Sequence, residues 1–142
     1  MKRVFLISPY SGDVERNLKY ADKCQTFCFS SGWAPFAGHL QYTRVLDDSD
    51  EKDRSFGMTS AYEWLIVSEL AVAFMDLGVS RGMHADLDAA SRLKVPIQYL
   101  SLNGAPILVD PIHNMKLPHA HMPCALCQIE SKQQSNAQGN SK

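Results

Sequence analysis

The chain has no Gly-x-Gly-x-x-Gly run and no phosphate-binding P-loop. Dinucleotide-dependent oxidoreductase and kinase chemistry therefore lack the motifs they rest on. No apolar run approaches the roughly 20 residues that a membrane-spanning helix needs, so no membrane partner is expected. The opening Met1-Lys2-Arg3 is basic, but Ser8-Pro9-Tyr10 ends the apolar run too early for a signal peptide. The expectation is a cytoplasmic protein. Basic charge is not in excess either. Fourteen Lys and Arg against fifteen Asp and Glu leave a net charge of −1. That gives no electrostatic footprint for nucleic acid, which is excluded as a partner. Cysteine is sparse, at four. In a cytoplasmic chain these are thiols or metal ligands rather than a disulfide framework.

What is present is enough for one domain with a real core: 142 residues, 45% of them hydrophobic. The organising stretch is Ser80-Arg81-Gly82-Met83-His84-Ala85-Asp86 and the helix it opens, running to about Lys94. A strand-like run, Leu70 to Met75, precedes it, and a second, Val95 to Leu100, follows. Strand, glycine turn, helix and strand make a βαβ unit. Its helix N-terminus stands at the carboxyl end of a strand, where open α/β sheets bind ligands and free N–H groups favour an anion.

One residue of that helix breaks the pattern. At about 100° per residue, Met83, Leu87, Ala89, Ala90 and Leu93 share an apolar arc. Asp86 falls near the middle of it, whereas Asp88 and Arg92 fall opposite. An acid on a core-facing stripe needs a partner, a shifted pKa or a function. An ion pair or a helix-end acid facing a solvated cleft is the structural alternative.

The rest of the chain falls into order around this unit. Arg3 to Ile7 is a first strand covered on both faces, with Ser8-Pro9-Tyr10-Ser11-Gly12 as its exit loop. Asp13 caps a helix whose Val14, Leu18, Ala21, Cys24 and Cys28 repeat at helical spacing until Gly32. Cys24 and Cys28 read as small core hydrophobes rather than ligands. Trp33 to Ala37 is a second strand, and Pro35 argues for an edge position. Gly38 to Tyr42 is its exit loop, where His39 could touch a base. The acidic run Asp47 to Asp53 reads as a solvated loop and a helix start. Asp47 and Asp48 reaching a cleft is the lesser alternative. A helix from Asp50 to Ser68 would turn Phe56, Ala61, Trp64 and Leu65 inward. Asp76, at a strand end, reads equally as a ribose ligand or a turn former. Pro106 to Val109 could add a fifth strand. The fold class is thus a flavodoxin- or Rossmann-like three-layer α/β sandwich on a four- to five-stranded parallel sheet.

From Pro111 periodicity stops, so the expected division is an α/β domain over 1–110 and an irregular tail over 111–142. Beyond Glu130 the composition cannot bury a core, and disorder is expected. Within this tail His119, His121, Cys124 and Cys127 are zinc-type residues, but they lie within nine positions and no second knuckle follows. They are retained only as a candidate structural zinc set. Otherwise neither cofactor nor metal is expected.

These residues, taken together, resemble the nucleoside 2-deoxyribosyltransferase superfamily, and most of all its small phage and bacterial branch. The resemblance spans about Lys2 to Leu102. It rests on Ser8-Pro9-Tyr10-Ser11-Gly12, on Pro35 to Leu40, on Leu46-Asp47-Asp48, and on Ser80-Arg81-Gly82-Met83 followed by Asp86. It implies cleavage or transfer at the N-glycosidic bond of a nucleoside or nucleoside 5′-monophosphate. Asp86 would then be the catalytic carboxylate, with Tyr10 as an orienting group. Ser8, Ser11 and Gly12 would hold base and sugar, and Ser80, Gly82 and Met83 would form the sugar- or phosphate-contacting turn. The resemblance also implies a homodimer or larger assembly. Relatives carry glutamate where this chain has Asp86, and an acid where it has Ser80. The second departure favours a phosphorylated substrate. The first leaves a non-catalytic nucleotide-binding domain of the same fold as the alternative, and a tail-centred interaction protein as a third reading.

Overall fold

The structure, a computed structural model, describes residues 1–102. The tail, the fifth-strand segment and the zinc candidates His119, His121, Cys124 and Cys127 lie outside the described residues. The elements are β1 (Lys2–Ile7), α1 (Val14–Ser30), β2 (Trp33–Phe36), α2 (Gly38–Gln41), α3 (Glu51–Leu65), β3 (Leu70–Phe74), α4 (Arg81–Arg92) and β4 (Ile97–Leu100). All strands are parallel, in the order β2-β1-β3-β4. This confirms the α/β, Rossmann-like class, with four strands among the described residues.

Alternation along the strands sends side chains to two covered faces. Val4, Leu6, Val72 and Phe74 cluster with Tyr20, Ala21, Cys24 and Cys28 of α1. Phe5, Ile7, Ala71 and Ala73 point to the other face and are equally buried, where α3 and α4 pack. The cysteines serve as small core groups, and burial pushes both thiols up to about 12. Pro35 stands on the edge strand, opposite Val4, as its missing N–H requires.

Four local expectations are corrected. Gly38 to Tyr42 is not an open loop: Gly38–Gln41 forms α2, and Tyr42–Arg44 continues as a 3-10 turn. On α1, Val14 is exposed, whereas Asn17 and Tyr20 are buried. On α3, Ala61 and Leu65 face inward, but Phe56 is 68% exposed and Trp64 51%. The buried stripe there runs through Ala61 and Leu65, and the aromatics fall off it. Trp64 stacks on Phe36 at 5.2 Å and donates from Nε1 to the Tyr42 hydroxyl at 3.1 Å. It covers part of the edge strand rather than the core. Leu93, at the end of α4, is also more exposed than its place on the apolar arc suggested.

α2 sits where it does because Gly38 has no side chain. A Cβ there would lie 2.8 Å from the Cβ of Ala61 on α3. Gly38→Ala is therefore expected to push α2 off α3 and cost about 1–3 kcal/mol. Urea denaturation of the variant against the parent checks this.

Candidate active site

The chain steps outward from β1 to β2, then crosses back past β1 to β3 and on to β4, so its direction in the sheet reverses between β1 and β3. Open α/β sheets form their ligand crevice at such a switch point, outside the carboxyl ends of the strands. The cleft found here is lined by Ser8, Tyr10 and Ser11 after β1, by Gly38 and His39 after β2, and by Ser80, Gly82, Met83 and Asp86 after β3. Asp48, Asp53, Arg54 and Met58 close the remaining side. Its cavity volume is about 100 Å³, room for several waters or a sugar-sized group.

Asp86 is placed by α4. The side chain of Ser80 caps this helix, accepting from the Met83 N–H at 3.3 Å. Gly82 lies one turn before Asp86, so the two share a face. Met83, Leu87, Ala89 and Ala90 fix that face against the sheet. The Asp86 carboxyl is half-buried, and no described residue donates a hydrogen bond to it. Burial pushes its pKa up to about 7, against a smaller downward pull from Arg54. Tyr62 of α3 has its phenol raised, first by burial and then by the Asp86 charge, which places it on the same side.

His39 is the second buried titratable group. Its Nε2 lies 2.9 Å from the Oγ of Ser8, which is buried. Burial lowers the imidazole pKa to about 4, so it is neutral at pH 7. The Tyr10 ring lies 6.4 Å from it, tilted. Thr43 donates to the His39 carbonyl at 2.7 Å and steadies α2 from below.

The loop after β1 is held by a residue that sequence reasoning missed. Asn17, 1% exposed, donates from Nδ2 to the carbonyls of Tyr10 at 3.0 Å and Ser11 at 2.9 Å. Its signal was its place on the buried side of α1 among apolar neighbours. Arg54 was missed as well, directly behind the acidic run. Its spacing to Gly57, Met58, Ala61 and Leu65 is a helical stripe, and that stripe is the true inner face of α3.

The structure brings Ser8, Tyr10, Ser11, His39, Ser80, Gly82, Met83 and Asp86 to one cleft. Gly12 does not line it. Its φ of +94° shows what the glycine serves: a left-handed turn into the Asp13 cap. Asp48 does line the cleft, against the solvated-loop reading, whereas Asp47 spends its carboxylate on the N–H and hydroxyl of Ser49. Asp76 is not among the lining residues. It accepts the Tyr20 hydroxyl at 2.5 Å and the Leu102 N–H at 3.0 Å, which ties α1 and the end of β4 to β3. Among the described residues no group of three or more His, Cys, Asp or Glu side chains is set to hold a metal. No helix there is long and apolar enough to cross a membrane.

With this geometry in view, comparison with known proteins places the chain. It belongs to a family described as Domain of unknown function (DUF7768), whose model matches residues 2–100. No curated protein matches it. Its fold is that of the nucleoside 2-deoxyribosyltransferases. The 2-deoxyribosyltransferase of Bacillus psychrosaccharolyticus superposes with a TM-score of 0.59 at 17% identity, over 78% of each chain. A conserved protein of Enterococcus faecalis V583 gives 0.51 at 18% identity, over 70% of this chain and 62% of that one. The CMP N-glycosidase BcmB of Clostridium botulinum gives 0.43 at 23% identity, over 70% and 68%.

Two outcomes follow from the site's chemistry. Tyr20→Phe strips Asp76 of a partner and is expected to cost about 1–3 kcal/mol while ligand binding at the cleft is unchanged; denaturation and calorimetry together check this. For Asp86, the folded carboxyl keeps its proton to about pH 7, whereas an unfolded aspartate loses it near pH 3.9. Between those values the folded state holds the extra proton, so stability falls as pH rises, by at most about 4 kcal/mol. Asp86→Asn removes that loss. A gain of about 1–3 kcal/mol is expected at pH 8 and none at pH 4, read from urea midpoints at both.

Proposed function

We propose that this protein cleaves or transfers the N-glycosidic bond of a nucleoside or nucleoside 5′-monophosphate, with Asp86 as the attacking carboxylate. The observation that carries the reading is the Asp86 carboxyl itself, half-buried in a strand-end cleft and poised near neutrality. Perturbed carboxyls in clefts are where reactive groups are found. Gly82 adds support. A Cβ there would meet only the Ser80 Oγ, at 3.8 Å, so packing within the protein does not demand a glycine. Bare backbone facing the cleft suits close approach of a ligand. The activity named for the Bacillus relative, a 2-deoxyribosyltransferase, fits this chemistry.

The steps balance as follows. The ionised Asp86 oxygen bonds to the anomeric carbon as the C–N bond breaks, and the electron pair leaves with the base. The transition state is oxocarbenium-like, and the carboxylate both stabilises and traps it. The base takes a proton from water or a neutral donor as it departs. In this reading the neutral His39, paired with Ser8, and Tyr10, which line the same cleft, would hydrogen-bond base or sugar. Water, or a second base, then attacks the same carbon, and Asp86 is released as a carboxylate. Retention at the anomeric carbon follows from the two displacements.

Only the ionised carboxyl attacks, so the rate rises through about pH 7. Below that value kcat/KM is expected to fall about tenfold per pH unit. The test is chromatographic: free base from common nucleosides, deoxynucleosides and their 5′-monophosphates, with Asp86→Asn as control. Release by the parent and loss of at least about a hundredfold in the variant support the reading. An equally active variant sinks it, and binding without any release would make the domain a nucleotide sensor.

A further inference from the structure

The reaction above uses one carboxylate of the cleft and leaves an ion pair beside it without a task. Arg54 lies on α3, one turn beyond its cap residue Asp50. Among the described residues it is the one Lys or Arg side chain lining the cleft. Its Nη1 donates to both carboxylate oxygens of Asp48, at 2.7 and 2.8 Å. Both bonds leave from the same nitrogen. A guanidinium has five N–H donors in a rigid fork, and here Nη2 and Nε make no hydrogen bond to the described residues. The two side chains are each 33% exposed, so the pair is neither sealed in the core nor loose in solvent. Asp48 makes no other side-chain bond among the described residues, so its carboxylate acts as a tether.

Asp86 lines the same cleft with its carboxyl unbonded by any described residue. We propose that Arg54 is a positioning residue that eases the ionisation of Asp86, with Asp48 tethering the guanidinium in the cleft and competing with Asp86 for it. This assignment rests on the reading of Asp86 as the attacking group. Other charged groups near Asp86 do not supply a cation. Tyr62 of α3 is a neutral phenol. Asp88 and Arg92, further along α4, bind each other at 3.0 Å. Asp53 accepts the Asp47 N–H at 3.0 Å, and across the cleft His39 is uncharged and Tyr10 carries no cation. An attacking carboxylate needs its charge before substrate arrives and needs it unshared when it attacks. A guanidinium held by a competitor meets both needs, because its field acts from a distance without consuming the lone pairs.

The test reads Asp86 directly. The side-chain carboxyl of the full chain is followed by carbon NMR against pH in the parent and in Arg54→Gln, Arg54→Lys and Asp48→Asn, each checked for folding by thermal melt. Arg54→Gln is expected to raise the Asp86 midpoint by about one pH unit, a tenfold loss of ionised fraction below it. Arg54→Lys recovers part of that shift, and Asp48→Asn moves the midpoint down by freeing the guanidinium. Coincident midpoints in all four proteins, or a rise on Asp48→Asn, would falsify the assignment. Should Arg54→Gln not fold, the other two variants decide it. If base is released, the acid limb of kcat/KM must move with the NMR midpoint; an unmoved limb overturns the role of Arg54 and leaves the glycosidic reading intact. Shifted midpoints without base release have the opposite meaning.

Discussion

A carboxyl group drawn half out of water is the constraint around which this structure is arranged. Burying Asp86 costs free energy whenever the group is charged, and an ordinary core would replace it with an apolar residue. The surroundings instead admit it to a cleft, keep hydrogen-bond donors off it, and place one tethered cation within reach of its field. Burial without a donor disfavours the charged form, and the cation offsets part of that cost.

The surrounding fold supplies the rigidity such a site needs. β1 lies inside the sheet between β2 and β3, so the loops that leave its end and that of β3 are drawn together. Asn17 fixes the first of these loops through two main-chain carbonyls. Asp76 fixes the far side by joining Tyr20 and the Leu102 N–H. Asn17 is a buried polar group whose side chain is fully engaged, which is how such groups specify one conformation; Asp76 makes its clamp at the surface. They leave the lining residues free for other bonds.

Much of this was legible in the chain itself. The unbroken apolar runs announced a sheet covered on both faces. Ser80 followed by Gly82 announced a helix opening at a strand end, and Asp86 stood out because helical periodicity put charge where burial was due. What stayed hidden depended on packing across elements. Trp64 and Phe56 looked like core because they are large, but the inner face of α3 runs through Arg54, Met58, Ala61 and Leu65, and Gly38 packs against it at Ala61. Arg54 was inconspicuous at the end of a run of acids, since its meaning comes from Asp48 folding back on it. Gly12 fell near the site in sequence and was credited with contact, and Asp76 read equally as a ribose ligand or a turn former; in space one serves a turn and the other a clamp.

His39 and Asp86 share one further property, because burial holds both in their neutral forms. From about pH 4 to 6.5 the folded protein keeps a proton on Asp86 that the unfolded chain has lost. Over the same range the unfolded chain carries a proton on His39 that the folded protein refuses. The two linkages have opposite signs, so their effects on stability offset each other. A melting curve followed across mildly acidic pH would therefore register little from either group. The cleft stays electrically quiet through that range, and its charge turns over only near neutrality, where the His39 contribution has ended and Asp86 alone gives up its proton.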